Sequence, residues 1–287
     1  MNNNLKRFNI YSIYLGAIIL ILPLIAFFIN AFSFRWFYPQ VIPKELSLQA
    51  WVRLKLIPKP GQRTFEGFVD LWASNPTVIK ALVNSLTIGI LVTIVSIIIA
   101  LPAARVLGLL NFRFKKLIIF IMVSPTILPP IAFVLGLNIN FISIGFSGSF
   151  FGVCLVHLVP IMPYVVLTMT GIFANYNPDF EHQARTLGAN KTTTFFQITL
   201  PAIAPGMVVA ALFAFLVSWS QYLLTFLIGA GKVMTLPLLV FSTASSGNPA
   251  LTAAISIIFI FPAILILVFT SKFVSGQSGA TSGFGKI

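Results

Sequence analysis

The sequence predicts an all-α integral membrane protein built on six transmembrane helices, and three observations carry that expectation. Of 287 residues, 58% are hydrophobic and only 8% are charged, against about 25% charged in a soluble domain. Six stretches each reach the ~20 apolar residues that a helix needs to cross about 30 Å of hydrocarbon. The five acids, Glu45, Glu66, Asp70, Asp179 and Glu181, all fall outside those stretches. A water-soluble globule is excluded, because one aqueous core could not hide so much apolar surface. Helices follow because hydrocarbon cannot satisfy a bare backbone.

The first span runs from Ile10 to Phe34. Lys6 and Arg7 precede it as in a secretory signal, but its apolar run exceeds the ~7–15 residues of such a signal and no A-x-A-like site follows, so the span is expected to be retained. An outer loop, 35–76, comes next, with Pro39, Pro43, Pro58, Pro60, three of the five acids and a short amphipathic piece from Phe65 to Trp72. Trp36, Tyr38 and Trp72 fit interfacial anchors. The second span, Val78 to Val106, holds Asn84 and Ser85, which suit hydrogen bonds between helices.

The third span, Leu117 to Leu137, is interrupted by Pro125, Pro129 and Pro130, and the fourth, Phe150 to Phe173, by Pro160 and Pro163. Such breaks need neighbouring helices or cavity water to take up the freed carbonyls. Pro129 and Pro130 therefore either line a pathway or are the ordinary prolines of membrane helices. The fifth span, Ile203 to Ile228, clusters polar and aromatic groups at Trp219, Ser220, Gln221 and Tyr222. A central cavity and an interfacial belt both account for that cluster. The sixth runs from Leu251 to Phe273, which closes a membrane domain over 1–274 and leaves a Gly- and Ser-rich tail, 275–287, expected to be flexible.

Eighteen Lys and Arg against five acids give a net charge of +13. The basic residues lie in short segments between apolar runs, without a nucleic-acid module, so anionic lipid explains the sign and no nucleic acid is expected. With both termini inside, ten basic residues fall inside and eight outside, and the cluster Arg113, Lys115, Lys116 against the third span is the main inward signal. Cys154 has no partner for a disulfide or a metal site and reads as core. No span holds a carboxylate to protonate, and His157 reads as a histidine hydrogen-bonded between helices rather than a proton relay. The tail lacks the spacing of a phosphate-cradling loop, and no catalytic triad or metal-ligand cluster is present. The chain is therefore expected to be no enzyme, to bind no cofactor of its own, and to draw energy from another subunit.

The informative segment is the polar loop between the fourth and fifth spans, 175–201. Asn177 can cap a helix that opens at Pro178, with Asp179 and Glu181 in the first turn at the positive end of the dipole. Gly188 should close it in a left-handed conformation. Phe180, Ala184 and Leu187 fall at i, i+4 and i+7 and make one narrow apolar face. A helix of about ten residues is marginal alone, so that face needs a partner. A bland interfacial helix on lipid is the alternative.

The run from Glu181 through His182, Gln183, Ala184, Arg185, Thr186 and Leu187 to Gly188, then nine residues, then Ile198-Thr199-Leu200-Pro201, resembles the EAA loop of permease subunits of binding-protein-dependent ABC importers. That pattern reads E-A-A, three residues, Gly, nine residues, I-x-L-P. Ala184, Gly188, Ile198, Leu200 and Pro201 match in register. His182 stands where Glu is usual and Gln183 where the first Ala is usual, while Glu181, one position earlier, can supply the charge. The likeness extends over nearly the whole chain, through Leu128-Pro129-Pro130 and Ser218-Trp219-Ser220-Gln221-Tyr222. It is similar to the spermidine/putrescine-type branch and to relatives handling iron, thiamine or phosphonates.

The resemblance implies a permease subunit whose 175–201 loop is a cytoplasmic coupling helix seated on an ABC ATPase, with Glu181, His182, Gln183, Ala184, Arg185, Leu187, Gly188, Ile198, Leu200 and Pro201 at that contact. It implies a translocation pathway near Pro129, Pro130, Trp219, Ser220, Gln221 and Tyr222, for polyamine-like or other small solutes. The implied partners are ATPase subunits carrying ATP and Mg, a second permease subunit, identical or different, an extracytoplasmic solute-binding protein and the bilayer. The implied place is the bacterial inner membrane, multi-pass, with both termini and the tail cytoplasmic, which makes the Asn190-Lys191-Thr192 sequon irrelevant. The rivals are a self-sufficient secondary transporter or channel, and a scaffold without flux.

Overall fold

The computed structural model describes residues 3–34, 36, 40, 42–74 and 76–283. Arg35, Tyr38, Pro39 and Lys286, used above for charge, anchoring and loop composition, lie outside them.

In chain order the helices are α1 (Asn3–Asn30), α2 (Gln49–Arg53), α3 (Phe65–Ala73), α4 (Thr77–Leu109), α5 (Lys115–Ile127), α6 (Pro130–Ser143) and α7 (Phe150–Ala174). There follow α8 (Asp179–Thr186), α9 (Lys191–Thr194), a π-helical turn (Phe195–Thr199), α10 (Leu200–Trp219), α11 (Leu223–Gly229), α12 (Leu236–Ser245) and α13 (Pro249–Gly283). Extended pairing among the described residues is limited to one bridge, Ser33 with Leu46.

Among the described residues four helical segments are long and apolar enough to cross a membrane: Thr77–Leu109, Phe150–Ala174, Lys191–Trp219 and Pro249–Ser271. The third expected span is not one rod. α5 and α6 meet at Leu128 and Pro129 and are bent by 99°, because the prolines at 129 and 130 cannot donate back to the preceding turn. The fifth expected span is also broken: α10 ends at Trp219 and α11 begins at Leu223. No proline marks that break. Ser220 turns its hydroxyl onto the carbonyl of Val217 at 3.2 Å, the local bonding by which serine competes with helix continuation. The first span appears as α1, whose shorter apolar stretch is Tyr14–Asn30. α13 is helical to Gly283, through most of the segment expected as a flexible tail. The amphipathic piece of the outer loop is α3, capped by Thr64, whose hydroxyl accepts from the amide of Gly67 at 3.2 Å.

The chain forms two compact units. One comprises residues 1–81 and 239–261. Its core is small, gathering Ala31, Ala50, Ala253 and Ala254. The Trp51 indole N–H donates to the carbonyl of Ala31 at 3.0 Å and its ring stacks on Phe32.

The other unit, 82–238 with 262–287, carries the main core. There α4 contributes Ile88, Val92, Ala100, Ala104 and Leu107, α7 contributes Ile161, Val165, Met169 and Phe173, and α10 contributes Ile203, Ala210 and Ala214. Small residues let these helices approach closely, as is usual in membranes. At Gly108 a Cβ would stand 2.5 Å from Cβ of Phe173 and 2.9 Å from the carbonyl oxygen of Thr170. Large apolar side chains on the outside, such as Ile98, Ile264 and Phe269, are exposed, as suits helices whose surroundings are lipid.

Candidate functional site

The 175–201 loop folds as its sequence dictates, and then divides its residues between two faces. The Asn177 side chain accepts from the amide of Asp179 at 2.9 Å, fixing the start of α8. Gly188 has φ +91°, the left-handed region that glycine enters without steric cost. It closes α8 while the amide of Ala189 returns to the carbonyl of Ala184 at 3.0 Å. Asn190 caps α9 by accepting from the amide of Thr193 at 2.7 Å. Pro201 has no N–H for the carbonyl of Gln197. The chain there widens into the π turn, in which the amide of Leu200 reaches the carbonyl of Phe195.

Glu181 and Ala184 face inward and are buried, whereas His182, Gln183, Arg185 and Gly188 are exposed and Leu187 is 89% exposed. Phe180 is half exposed. The expected apolar stripe is thus split: Ala184 serves the chain's own packing, and Leu187 with part of Phe180 is offered outward. Ile198 and Leu200 are half-buried and Pro201 is exposed.

The inward residue Glu181 is the centre of a polar knot. Its carboxylate accepts from the Arg105 guanidinium of α4 at 2.6 Å and from the Thr199 hydroxyl of the π turn at 2.8 Å. Arg185, one turn on, stands at 4.0 Å. Burial alone would raise the Glu181 pKa, but the hydrogen bonds from Thr199 and Arg105 and the Arg105 charge outweigh it and hold the carboxyl below its ordinary value. The Tyr176 phenol is raised, chiefly by burial, and meets Thr199 at 3.5 Å. Arg105, Thr199 and Tyr176 were missed by sequence reasoning. A lone arginine at the end of a span was the only available signal.

The second group of expected residues is dispersed. Pro130 and Gln221 line one cavity of about 260 Å³, together with Leu128, Phe133 and Tyr164. Pro129 forms the joint before α6. Trp219 is buried and stacks on Phe215 at 5.4 Å, Ser220 is exposed, and Tyr222 stacks on Phe226 at 5.8 Å. Trp219 and Gln221 border a much smaller void of about 10 Å³.

His157 is buried and bonded at both ring nitrogens, to the Ser218 hydroxyl at 3.0 Å and the Thr225 hydroxyl at 2.9 Å, which joins α7 to α10 and α11. The inter-helix reading of this histidine therefore holds. Ser85 accepts from the amide of Leu236, the first residue of α12, at 2.9 Å, which ties α4 to that helix, and Asn84 donates to the carbonyl of Met234, just before α12, at 2.8 Å. Among the described residues no cluster of three His, Cys, Asp or Glu side chains is placed to hold a metal.

Comparison with known proteins agrees with this architecture. The trehalose transport system permease protein SugB of Mycobacterium tuberculosis is 29% identical over 236 residues, covering 80% of this chain and 85% of that protein. The spermidine/putrescine transport system permease protein PotC of Haemophilus influenzae is 25% identical over 210 residues, covering 71% of this chain and 82% of that protein. A crystal structure of a bacterial ABC transporter that imports the acidic polysaccharide alginate shares the fold, with a TM-score of 0.67 over 95% of this chain and 98% of that one at 17% identity. Residues 18–275 match the family described as the binding-protein-dependent transport system inner membrane component. The chain belongs to that family and is a multi-pass permease subunit of an ABC importer of the inner membrane, not itself an enzyme.

Proposed function

We propose that this subunit forms half of a path for a small solute and is driven through the outward face of α8 by an ABC ATPase that carries ATP and Mg. The observation that carries this reading is the division of the loop. Leu187, His182, Gln183, Arg185 and Gly188 are uncovered, while Glu181 ties the same helix to α4 and to the π turn that opens α10. A push on the exposed face passes to two long helices through short, charge-assisted bonds. A second permease subunit, identical or different, completes the path, and an external binding protein delivers the solute. The 175–201 loop then faces the cytosol, as do both termini and the region from 275 onward.

For the solute two narrower readings stand, and a polyamine is supported by PotC. SugB, a trehalose transport protein, supports a saccharide at somewhat higher identity.

The test is reconstitution of the subunit with its ATPase, second permease and binding protein. Uptake should require internal ATP, and Leu187→Asp should release the ATPase on purification. Uphill flux by this polypeptide alone on an ion gradient would replace the reading with that of a secondary carrier.

A further inference from the structure

The bend between α5 and α6 has a chemical consequence at its inner edge. In an α-helix the carbonyl of residue i accepts from the amide of residue i+4. For Pro125 and Thr126 those amides would belong to residues 129 and 130, and both are prolines, which have no N–H. Two carbonyls in an apolar span are thus left without their helical donors, and hydrocarbon cannot replace them. Pro125 and Thr126 both line the 260 Å³ cavity under the bend, as do Tyr164 and Gln221. Neither the Tyr164 phenol nor the Gln221 carboxamide has a hydrogen-bond partner among the described residues. No Asp, Glu, Lys or Arg contributes to the lining.

These groups select a ligand by chemistry. A polyamine brings several ammonium charges, which bare carbonyls and ring faces hold less well than carboxylates do, and an oxyanion needs guanidinium or ammonium groups. Neither carboxylates nor such cations line this cavity. Free carbonyls, an amide and a phenol, beside the apolar surfaces of Phe133, Leu128 and Pro130, suit a molecule with hydroxyls on its edges and C–H bonds on its faces.

We propose that this cavity is a solute half-site and that its occupant is an uncharged, hydroxyl-rich molecule of the saccharide class. Its hydroxyls donate to the carbonyls of Pro125 and Thr126 and exchange hydrogen bonds with Gln221 and Tyr164. The proposal rests on the importer reading above. A volume below the ~300 Å³ at which drug-sized pockets begin is in keeping with a site that a second subunit completes.

The test uses the whole transporter with its binding protein in proteoliposomes, ATP inside, and labelled trehalose, spermidine or molybdate outside. Wild type should accumulate trehalose. Gln221→Leu and Tyr164→Phe should each lower that uptake by about tenfold or more, since a polar solute group loses its partner, while the amount of ATPase that co-purifies with the membrane subunits stays at the wild-type level. Accumulation of spermidine or molybdate in place of trehalose, accumulation of none of the three, or wild-type trehalose uptake in both variants would overturn the proposal. Failure of the wild-type membrane subunits to hold the ATPase is a separate result, which removes the importer reading itself.

Discussion

The Arg105 guanidinium on α4 and the Glu181 carboxylate on α8 meet at 2.6 Å, across 76 residues of chain. The Glu181 side chain is 7% exposed and the Arg105 side chain 33%, so the pair is shielded on one side and wetted on the other. Removing one member of a fully buried pair costs about 3–5 kcal/mol. With Arg105 partly in water, Glu181→Gln should cost less, on the order of 1–2 kcal/mol. Uptake should fall more than ATPase co-purification, because the outward face of α8 is left intact. Exchanging the charges, Arg105→Glu with Glu181→Arg, should recover part of the lost uptake, and a double-mutant cycle on uptake rates reads the coupling.

The same pair sets a pH dependence. Glu181 titrates below its ordinary value of 4.5, so its contribution to stability is fully present above 4.5 and is lost as pH falls through the lowered pKa. Thermal midpoints of the purified complex should show no Glu181-dependent change between pH 8 and 5. Below about pH 4.5 they should drop, and in Glu181→Gln that acid-side drop should be smaller.

Gly188 sits at φ +91° with nothing within 4 Å of the position a Cβ would take. Any penalty there is conformational, not steric crowding. Gly188→Leu should strain the loop by about 1–2 kcal/mol and weaken ATPase co-purification. Gly188→Asn should be milder, since asparagine tolerates the left-handed region.

Leu187→Asp separates partner contact from folding. At 89% exposure the side chain touches little of its own chain, so the thermal midpoint should correspond to a change within about 0.5 kcal/mol. ATPase retention on an affinity column should nevertheless collapse.

Gly108→Val probes the close approach of α4 and α7. A Cβ there stands 2.5 Å from Cβ of Phe173 and 2.9 Å from the backbone oxygen of Thr170, and neither atom belongs to a flexible side-chain end. Overpacking of this kind costs about 1–3 kcal/mol, read as a lower thermal midpoint.

Composition and apolar run length made the helical spans legible, because those features answer to one solvent and one thickness. The register from Ala184 through Gly188 to Pro201 made the local fold of the 175–201 loop legible, because a left-handed turn and a proline-flanked helix start have residue requirements. Run length could not locate the breaks at Leu128–Pro129 and at Ser220–Tyr222, since an apolar count takes no account of backbone direction. The pairing of Glu181 with Arg105 was invisible for another reason. It depends on how α4 and α8 pack, and no spacing between residues 76 positions apart reports it. Tyr164 was likewise passed over, because a single tyrosine in an apolar helix carries no pattern until the bend at Pro129 and Pro130 places Pro125 and Thr126 beside it.

Leu187 stands uncovered at the tip of α8, with Phe180 half out beside it and Phe196 60% exposed in the π turn. An oily knob of that kind, left in water, is a handle for chaperones and proteases as well as for the ATPase proposed to cover it. Copies made in excess of the ATPase should therefore be short-lived, and cells should match the abundance of the two proteins by degrading whichever membrane subunit remains unclaimed.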